Sequence, residues 1–378
     1  MKGFKNTWIV TAEGLQKTAL AYEKNFESIG QPDDSFIELP DDYVVVPGFI
    51  DEHVHGAAGS DAMDGTIEDL SKIAQALASE GTTAFLATTM TQSPENIIKA
   101  LEAVKQYKEA DYTTGAEILG VHLEGPFISK DFVGAQPIEY VAAPQVDTFK
   151  VYQKASGNTI KVVTLAPEVE GCDELIRYLA SQGIVASIGH TNAKYADVEK
   201  AVLAGAKTFT HTYNAMKPVH HREIGTVGSA YLFDSMTCEC ICDGIHVSAP
   251  AIRLLHKNKP NGKFILITDA MRAKHMPDGV SELGGQVVIV KNGEARLENG
   301  TLAGSVLKMN QAVKNVMGFL NLPLEEVVKF ASLYPAQNLG VDQYLGSIEV
   351  GKRADFVVLD KALNVVATVR SGQLIYQK

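Results

Sequence analysis

The sequence predicts an α/β protein, a (β/α)8 TIM-type barrel with a small β-sandwich domain formed from both termini. Three observations carry this expectation. From residue 45 onward, short β-branched or apolar runs alternate with stretches of helical period. The two ends change character and read as alternating strands with glycine turns. The length, 378 residues, suits one barrel of about 250 residues plus an appendage.

The strand candidates are 44–55, 82–90, 118–126, 161–168, 184–191, 208–216, 236–247 and 264–271. They are apolar nearly throughout, as strands covered on both faces by helices should be. Between them lie amphipathic helices. In EDLSKIAQALASEG, Leu70, Ile73, Ala74, Leu77 and Ala78 form one stripe, and Gly81 is placed to end the helix. In YADVEKAVLAGA, Val198, Ala201, Val202 and Gly205 repeat the pattern. The barrel is assigned to 47–343, with a β-hairpin insertion near 284–305, where asparagine-glycine pairs signal turns. Residues 1–46 and 344–378 are each too short for a core, so they are joined into the small β domain.

Composition narrows the function. Thirty-four basic against 45 acidic residues give a net charge of −11, a poor field for nucleic acid or an anionic membrane. The opening MKGFKNTWIVTAEG has no long apolar run, and no stretch approaches the ~20 apolar residues of a membrane span. A cytoplasmic location is expected. Cys238, Cys240 and Cys242 recur every second residue, which suits one face of a core strand and not C-x-x-C zinc spacing. Cys172 stands in polar company and carries no partner signal.

In such a barrel the active site lies at the C-terminal ends of the strands. Those ends carry His53 and His55, His122 and Glu124, His190, His211, Asp243 and His246, and Asp269. Metal-type side chains thus converge on one mouth. His53 and His55, two residues apart on a strand, leave the same face and can reach one cation. Imidazole with carboxylate suits Zn2+ or Fe2+, with Mn2+, Co2+ or Ni2+ also accommodated.

With these motifs in order, PGFIDEHVHG, HLEGPF, GHTNA, THTYNAM, CDGIHV, ITDAM, TLAGS and the tail SLYPAQNLG…GSIEVGKRADFVVLD, the sequence resembles the amidohydrolase superfamily, and within it the N-acetylglucosamine-6-phosphate deacetylase branch. The resemblance implies one or two divalent ions. Glu124, His190 and His211 would hold the first; His53 and His55, with Glu124 bridging and Asp269 nearby, would hold the second. A second subclass bridges its metals with a carboxylated lysine ending the fourth strand. Here that end reads Leu165-Ala166-Pro167-Glu168, with Lys161 at the other end, and Glu124 takes the bridging place. Asp269 would serve as general base and then general acid in amide hydrolysis by metal-activated water. The metal and His246 would polarise the acetyl carbonyl.

The resemblance also implies a phosphorylated amino-sugar substrate and a homodimer. Arg222, beside Lys217, His220 and His221, would clamp the phosphate, across the dimer contact or within the chain. Asn214, Ala215, His246, Leu302 and Ala303 would contact the sugar. Gln136 would bind sugar or phosphate, in a place where many relatives have histidine. Two other readings stay open: an amidohydrolase acting on another N-acyl or cyclic amide substrate, and a metal-free scaffold on the same barrel. A nucleic-acid partner has only the short basic loop in its favour.

Overall fold

The computed structural model describes residues 1–110, 112–260 and 262–378. The eight apolar runs form eight parallel strands in chain order: Phe49–Val54, Thr82–Thr89, Glu117–Glu124, Ile160–Leu165, Val185–Ile188, Thr208–Phe209, Thr237–Ile241 and Phe264–Ile267. The barrel is nearly closed. Its first and eighth strands share no ladder, but at the mouth Asp269 N–H donates to the His53 carbonyl (2.8 Å) and His55 N–H to that of Ala270 (2.9 Å). At the other end Ile50 N–H turns to the Ala331 carbonyl (2.8 Å). Closure is therefore tightest beside the candidate ligands.

The connecting helices bury the stripes expected of them. In Ile67–Ala78 the buried residues are Leu70, Ile73, Ala74, Leu77 and Ala78, and the Thr66 side chain caps the start by accepting from Asp69 N–H. Each buried leucine or isoleucine contributes about 1.5–3 kcal/mol against exposure. Tyr195–Ala204 buries Val198, Ala201 and Ala204 and ends at Gly205, with Val202 half-buried.

The run 44–55 serves two sheets. Val44–Pro47 pairs antiparallel with Phe356–Leu359 and parallel with Lys2–Thr11, whereas Phe49–Val54 enters the barrel. Gly48 sits at the break, where a Cβ would lie 2.3 Å from the Thr83 hydroxyl. No larger residue fits there. The terminal strands form one continuous seven-stranded mixed sheet, ordered 373–377, 365–370, 356–359, 44–47, 2–11, 14–22 and 26–29. It has its own apolar core, centred on Phe356, whose ring stands 4.9 Å from Tyr22 and 5.7 Å from Phe4.

The insertion after the eighth strand is larger than the expected hairpin. Four antiparallel strands, Gly279–Leu283, Gln286–Lys291, Glu294–Leu297 and Leu302–Ser305, pack over Met90, Met271 and Ala273. Ser305 N–H donates to the Asp269 carbonyl (2.8 Å), tying this sheet to the mouth. Among the described residues no helix is long and apolar enough to cross a membrane.

Candidate metal centre

Five strand ends deliver six side chains to one buried point. His53 lies within the first strand and His55 just beyond it, on the same face. Glu124 ends the third strand, His190 follows the fifth, His211 the sixth and Asp269 the eighth. Gly189 lets the chain turn inward before His190, since a Cβ there would lie 2.6 Å from Thr210. His190, His211 and Asp269 all hold positive φ (48°, 28° and 47°), a region that side-chain-bearing residues rarely adopt. Strain of this kind collects where side chains must be aimed.

Glu124 is the hub. Its Oε1 lies 3.2 Å from His190 Nε2, 3.1 Å from His211 Nε2 and 3.4 Å from His53 Nε2; its Oε2 lies 3.3 Å from His55 Nε2. Asp269 Oδ1 faces His55 Nε2 at 3.2 Å and His53 Nε2 at 3.5 Å. Three sets of potential donors result: His53 with His55 and Asp269, Glu124 with His190 and His211, and, beneath them, His53 with His122 and Glu239. In the last, both His122 nitrogens are already engaged, by the Glu52 carbonyl and the Thr164 hydroxyl.

The donor chemistry fits divalent cations. His190 Nδ1–H donates to the Phe132 carbonyl (3.0 Å) and His53 Nδ1–H to Glu239 (3.0 Å), so both rings turn Nε2 inward. The Nε2 atoms of His190 and His211 stand only 3.1 Å apart. Among the inward nitrogens, His53 Nε2 is buried without a hydrogen-bond partner; on the outer edges of their rings, His55 Nδ1 and His211 Nδ1 are too. Ring nitrogens and carboxylate oxygens so close together must be held by protons or by a cation. Burial alone would lower the pKa of His55, but bonds and charges from Asp269 and Glu124 raise it to about 10. His53 is raised well above its usual value against burial, chiefly by the charges of Asp269 and Glu124. Burial would raise Asp269, yet His53 and His55 bring it down to about 2. A divalent cation could take the place of such protons at the same donors.

A cleft of about 350 Å3 opens above this cluster. Glu124, Gln136, His190, His211, Asn214, Ala215, His246, Asp269 and Leu302 line it, whereas His53 lies beneath, fully buried. Ala303 does not line it. Strand alternation turns Ala303 into the apolar cluster under the insertion and leaves Leu302 and Gly304 on the wall. Arg222 is also outside the cleft of its own chain, exposed, with Nη1 2.8 Å from His221 Nε2. Lys217 donates to Asn192 (2.8 Å). Gln136 lines the cleft but spends its amide within the protein. Its Oε1 accepts from Thr91 N–H (2.7 Å) and its Nε2 donates to Glu124 Oε2 (2.6 Å).

Three supporting residues, Glu239, His122 and Glu52, are not among the ligands or substrate contacts of the sequence reading, although His122 is counted with the metal-type strand ends. Glu239 touches His53 and His211, while His122 packs against His53 with ring centroids 4.4 Å apart. His122 Nδ1–H donates to the Glu52 carbonyl and Nε2 accepts from Thr164. Burial and the nearby His53 charge push its pKa down to about 4, so the ring is neutral. Burial and the charge of Glu239 hold Glu52 well above the usual carboxylate range. The available signal was a glutamate inside the cysteine strand, on the face opposite Cys238 and Cys240. All four cysteines are buried and free.

The sequence profile of the amidohydrolase family matches residues 44–375. The chain belongs to the amidohydrolase family. Within the family it is 44% identical over 348 residues to an N-acetylglucosamine-6-phosphate deacetylase of Bacillus subtilis, covering 92% of this chain and 88% of that protein. Two solved amidohydrolase structures superpose over its whole length. The N-acetylglucosamine-6-phosphate deacetylase of Thermotoga maritima gives a TM-score of 0.91 at 36% identity, with 100% of each chain covered. A variant N-acetyl-D-glucosamine-6-phosphate deacetylase of Mycobacterium smegmatis, in complex with N-acetyl-D-glucosamine-6-phosphate, gives 0.94 at 30% identity, covering 100% of this chain and 99% of that one. Buried His, Asp and Glu groups of this amidohydrolase could hold metal ions.

Proposed function

We propose that this amidohydrolase converts N-acetyl-D-glucosamine 6-phosphate and water to D-glucosamine 6-phosphate and acetate. One observation carries the proposal: Asp269 and the Glu124 hub converge at the floor of a cleft, in a chain 44% identical to a deacetylase of that sugar phosphate. His53, His55, Glu124, His190, His211 and Asp269 would hold one or two divalent ions, Zn2+ or Fe2+ by the nitrogen and oxygen donor set, with Mn2+, Co2+ or Ni2+ also compatible. Such an ion polarises carbonyls and lowers the pKa of water from 15.7 to about 7.

The chain supplies the rest. Asp269, ionised, accepts the proton of the attacking water at its carboxylate. It then returns that proton to the amide nitrogen as the C–N bond breaks, so that a neutral amine leaves. His246, pinned by Nδ1–H to Asp243 Oδ2 (2.6 Å), presents its other ring nitrogen to the cleft. Asn214 and Ala215 meet the sugar on the wall after the sixth strand, and Leu302 covers it from the insertion. Gln136 keeps Glu124 in place and has one further N–H for substrate. Arg222 would reach the phosphate from a second copy in a homodimer, because in its own chain it lies outside the cleft. The enzyme would work in the cytoplasm, on amino-sugar catabolism or wall-sugar recycling.

The test is acetate release by the purified, metal-loaded protein. N-acetyl-D-glucosamine 6-phosphate should turn over while N-acetyl amino acids and cyclic amides do not. Hydrolysis of another N-acyl compound, with none of the sugar phosphate, would make it an amidohydrolase of different substrate.

A further inference from the structure

Below the cluster, one carboxylate oxygen joins its two halves. Glu239 is fully buried in the seventh strand, and its Oε2 accepts both from His53 Nδ1–H (3.0 Å) and from the backbone N–H of His211 (3.0 Å). His53 belongs to the set with His55 and Asp269 and, through its other nitrogen, to one with His122 and Glu239; His211 belongs to the set with Glu124 and His190. Nδ1 is the His53 nitrogen turned away from the cluster. The other, Nε2, has no hydrogen-bond partner and faces Glu124 Oε1 (3.4 Å) and Asp269 Oδ1 (3.5 Å). An acceptor at Nδ1 decides which nitrogen carries the proton of a neutral imidazole, and so which one offers a lone pair.

His122 packs against the same ring, but both its nitrogens are engaged, by the Glu52 carbonyl and the Thr164 hydroxyl. It wedges His53 and has no lone pair to add. Rotation of His53 is therefore limited by His122 on its face and by Glu239 at its far edge. Histidine ligands commonly need such a partner, whose loss weakens metal binding ten- to a hundredfold.

We propose that Glu239 is a positioning residue for the cation at His53, His55 and Asp269. It fixes the His53 tautomer, strengthens Nε2 as a donor and sets His53 against the His211 backbone. The inference rests on the cluster binding metal, as argued above, and adds a dependence of one half of it on a residue outside the six ligands, whose carboxylate is spent on His53 Nδ1–H and the His211 N–H.

Glu239→Gln retains an oxygen that can accept both bonds and removes the charge. Metal-free wild type, Glu239→Gln and His53→Asn would be titrated with Zn2+ in competition with a chromophoric chelator, with bound metal counted by atomic emission. His53→Asn identifies the equivalent that depends on His53. Glu239→Gln should weaken that equivalent ten- to a hundredfold, leave the other within about threefold, and leave the metal-free melting temperature unchanged. In the His53→Asn background, Glu239→Gln should have no further effect on metal uptake. Unchanged affinities in Glu239→Gln would overturn the inference, as would equal weakening of both equivalents with a lowered metal-free melting temperature, the mark of a merely structural carboxylate. Should Glu239→Gln not fold, Glu239→Asp, which keeps the charge on a shorter arm, must show the same selective loss; equal or absent loss there overturns the inference too. A wild type that takes up no Zn2+ would remove the metal reading itself, a result distinct from all of these.

Discussion

Two buried clusters of charge lie within a few residues of each other in sequence and differ in one respect. Around Lys274 every charge is answered: its Nζ meets Glu80 Oε1 at 2.7 Å, His275 Nε2 lies 3.3 Å from Glu80 Oε2, and Thr268 donates to Asp51 (2.5 Å). Neither Asp51, Glu80 nor Lys274 leaves a buried polar atom without a partner. Around Glu124, four imidazoles and two carboxylates crowd together, every ring turning Nε2 to the same point, and His53 Nε2 has no hydrogen-bond partner there. Both clusters are largely buried. The difference teaches that burial and charge do not mark a reactive centre; donors left facing a common point do. The first cluster is complete within the protein, and the second has donors that could hold a cation.

The largest way to break this contrast is Asp269→Asn. It removes the carboxylate that moves the proton but keeps shape, so kcat should fall about a hundred- to ten-thousandfold. Melting temperature, and metal held by Glu124, His190 and His211, should stay close to wild type. Near-normal kcat in the purified variant would withdraw the proton-shuttle role.

Lys274→Met attacks the completed cluster instead. It strands the Glu80 carboxylate in the interior and should cost about 3–5 kcal/mol of unfolding free energy, measured by denaturant titration. Its pH dependence has a definite sign. Burial would raise the Glu80 pKa, but Lys274 and His275 outweigh it and hold it below 4.5. A depressed folded value contributes stability that is full above the ordinary pKa and lost as pH falls through the folded one. The gap between wild type and Lys274→Met should therefore be widest near neutrality and narrow below pH 4.5. A gap independent of pH would detach Glu80 from the effect.

Smaller effects sharpen the picture at the cleft. Arg222→Ala should raise KM for the 6-phosphorylated sugar about tenfold or more, the worth of a charge-assisted bond, with little change for the unphosphorylated one. Equal effects on both sugars would remove phosphate recognition from Arg222. Gln136→Met should lower metal retention or kcat by about tenfold, through the lost bond to Glu124 and the Thr91 N–H left unpaired. Dialysis against a chelator followed by metal counting separates those two outcomes.

Much of this was legible in the sequence, for physical reasons. Buried parallel strands are apolar along their whole length, so the eight runs stood out, and the barrel rule placed His53, His55, Glu124, His190, His211 and Asp269 at one end. What stayed hidden depended on side-chain direction or distant pairing. Period-two alternation turned Ala303 away from the cleft, although its neighbours Leu302 and Gly304 line it. Glu80 and Lys274 lie 194 positions apart, and Glu239 and His53 lie 186 apart, with no local pattern to join them. Arg222 sits on a loop whose reach no periodicity specifies. The split of 44–55 at Gly48 between two sheets follows from a close approach to Thr83 that only the fold creates.

The most direct measurement is reconstitution. Protein stripped by a strong chelator would be titrated with Zn2+ or, without oxygen, Fe2+, while acetate release from N-acetyl-D-glucosamine 6-phosphate and bound metal per chain are followed together. Turnover should be absent in the stripped protein and rise in proportion to metal, reaching its plateau at one or two ions per chain. Full turnover in the stripped protein, or stoichiometric metal uptake with no return of activity, would contradict the account.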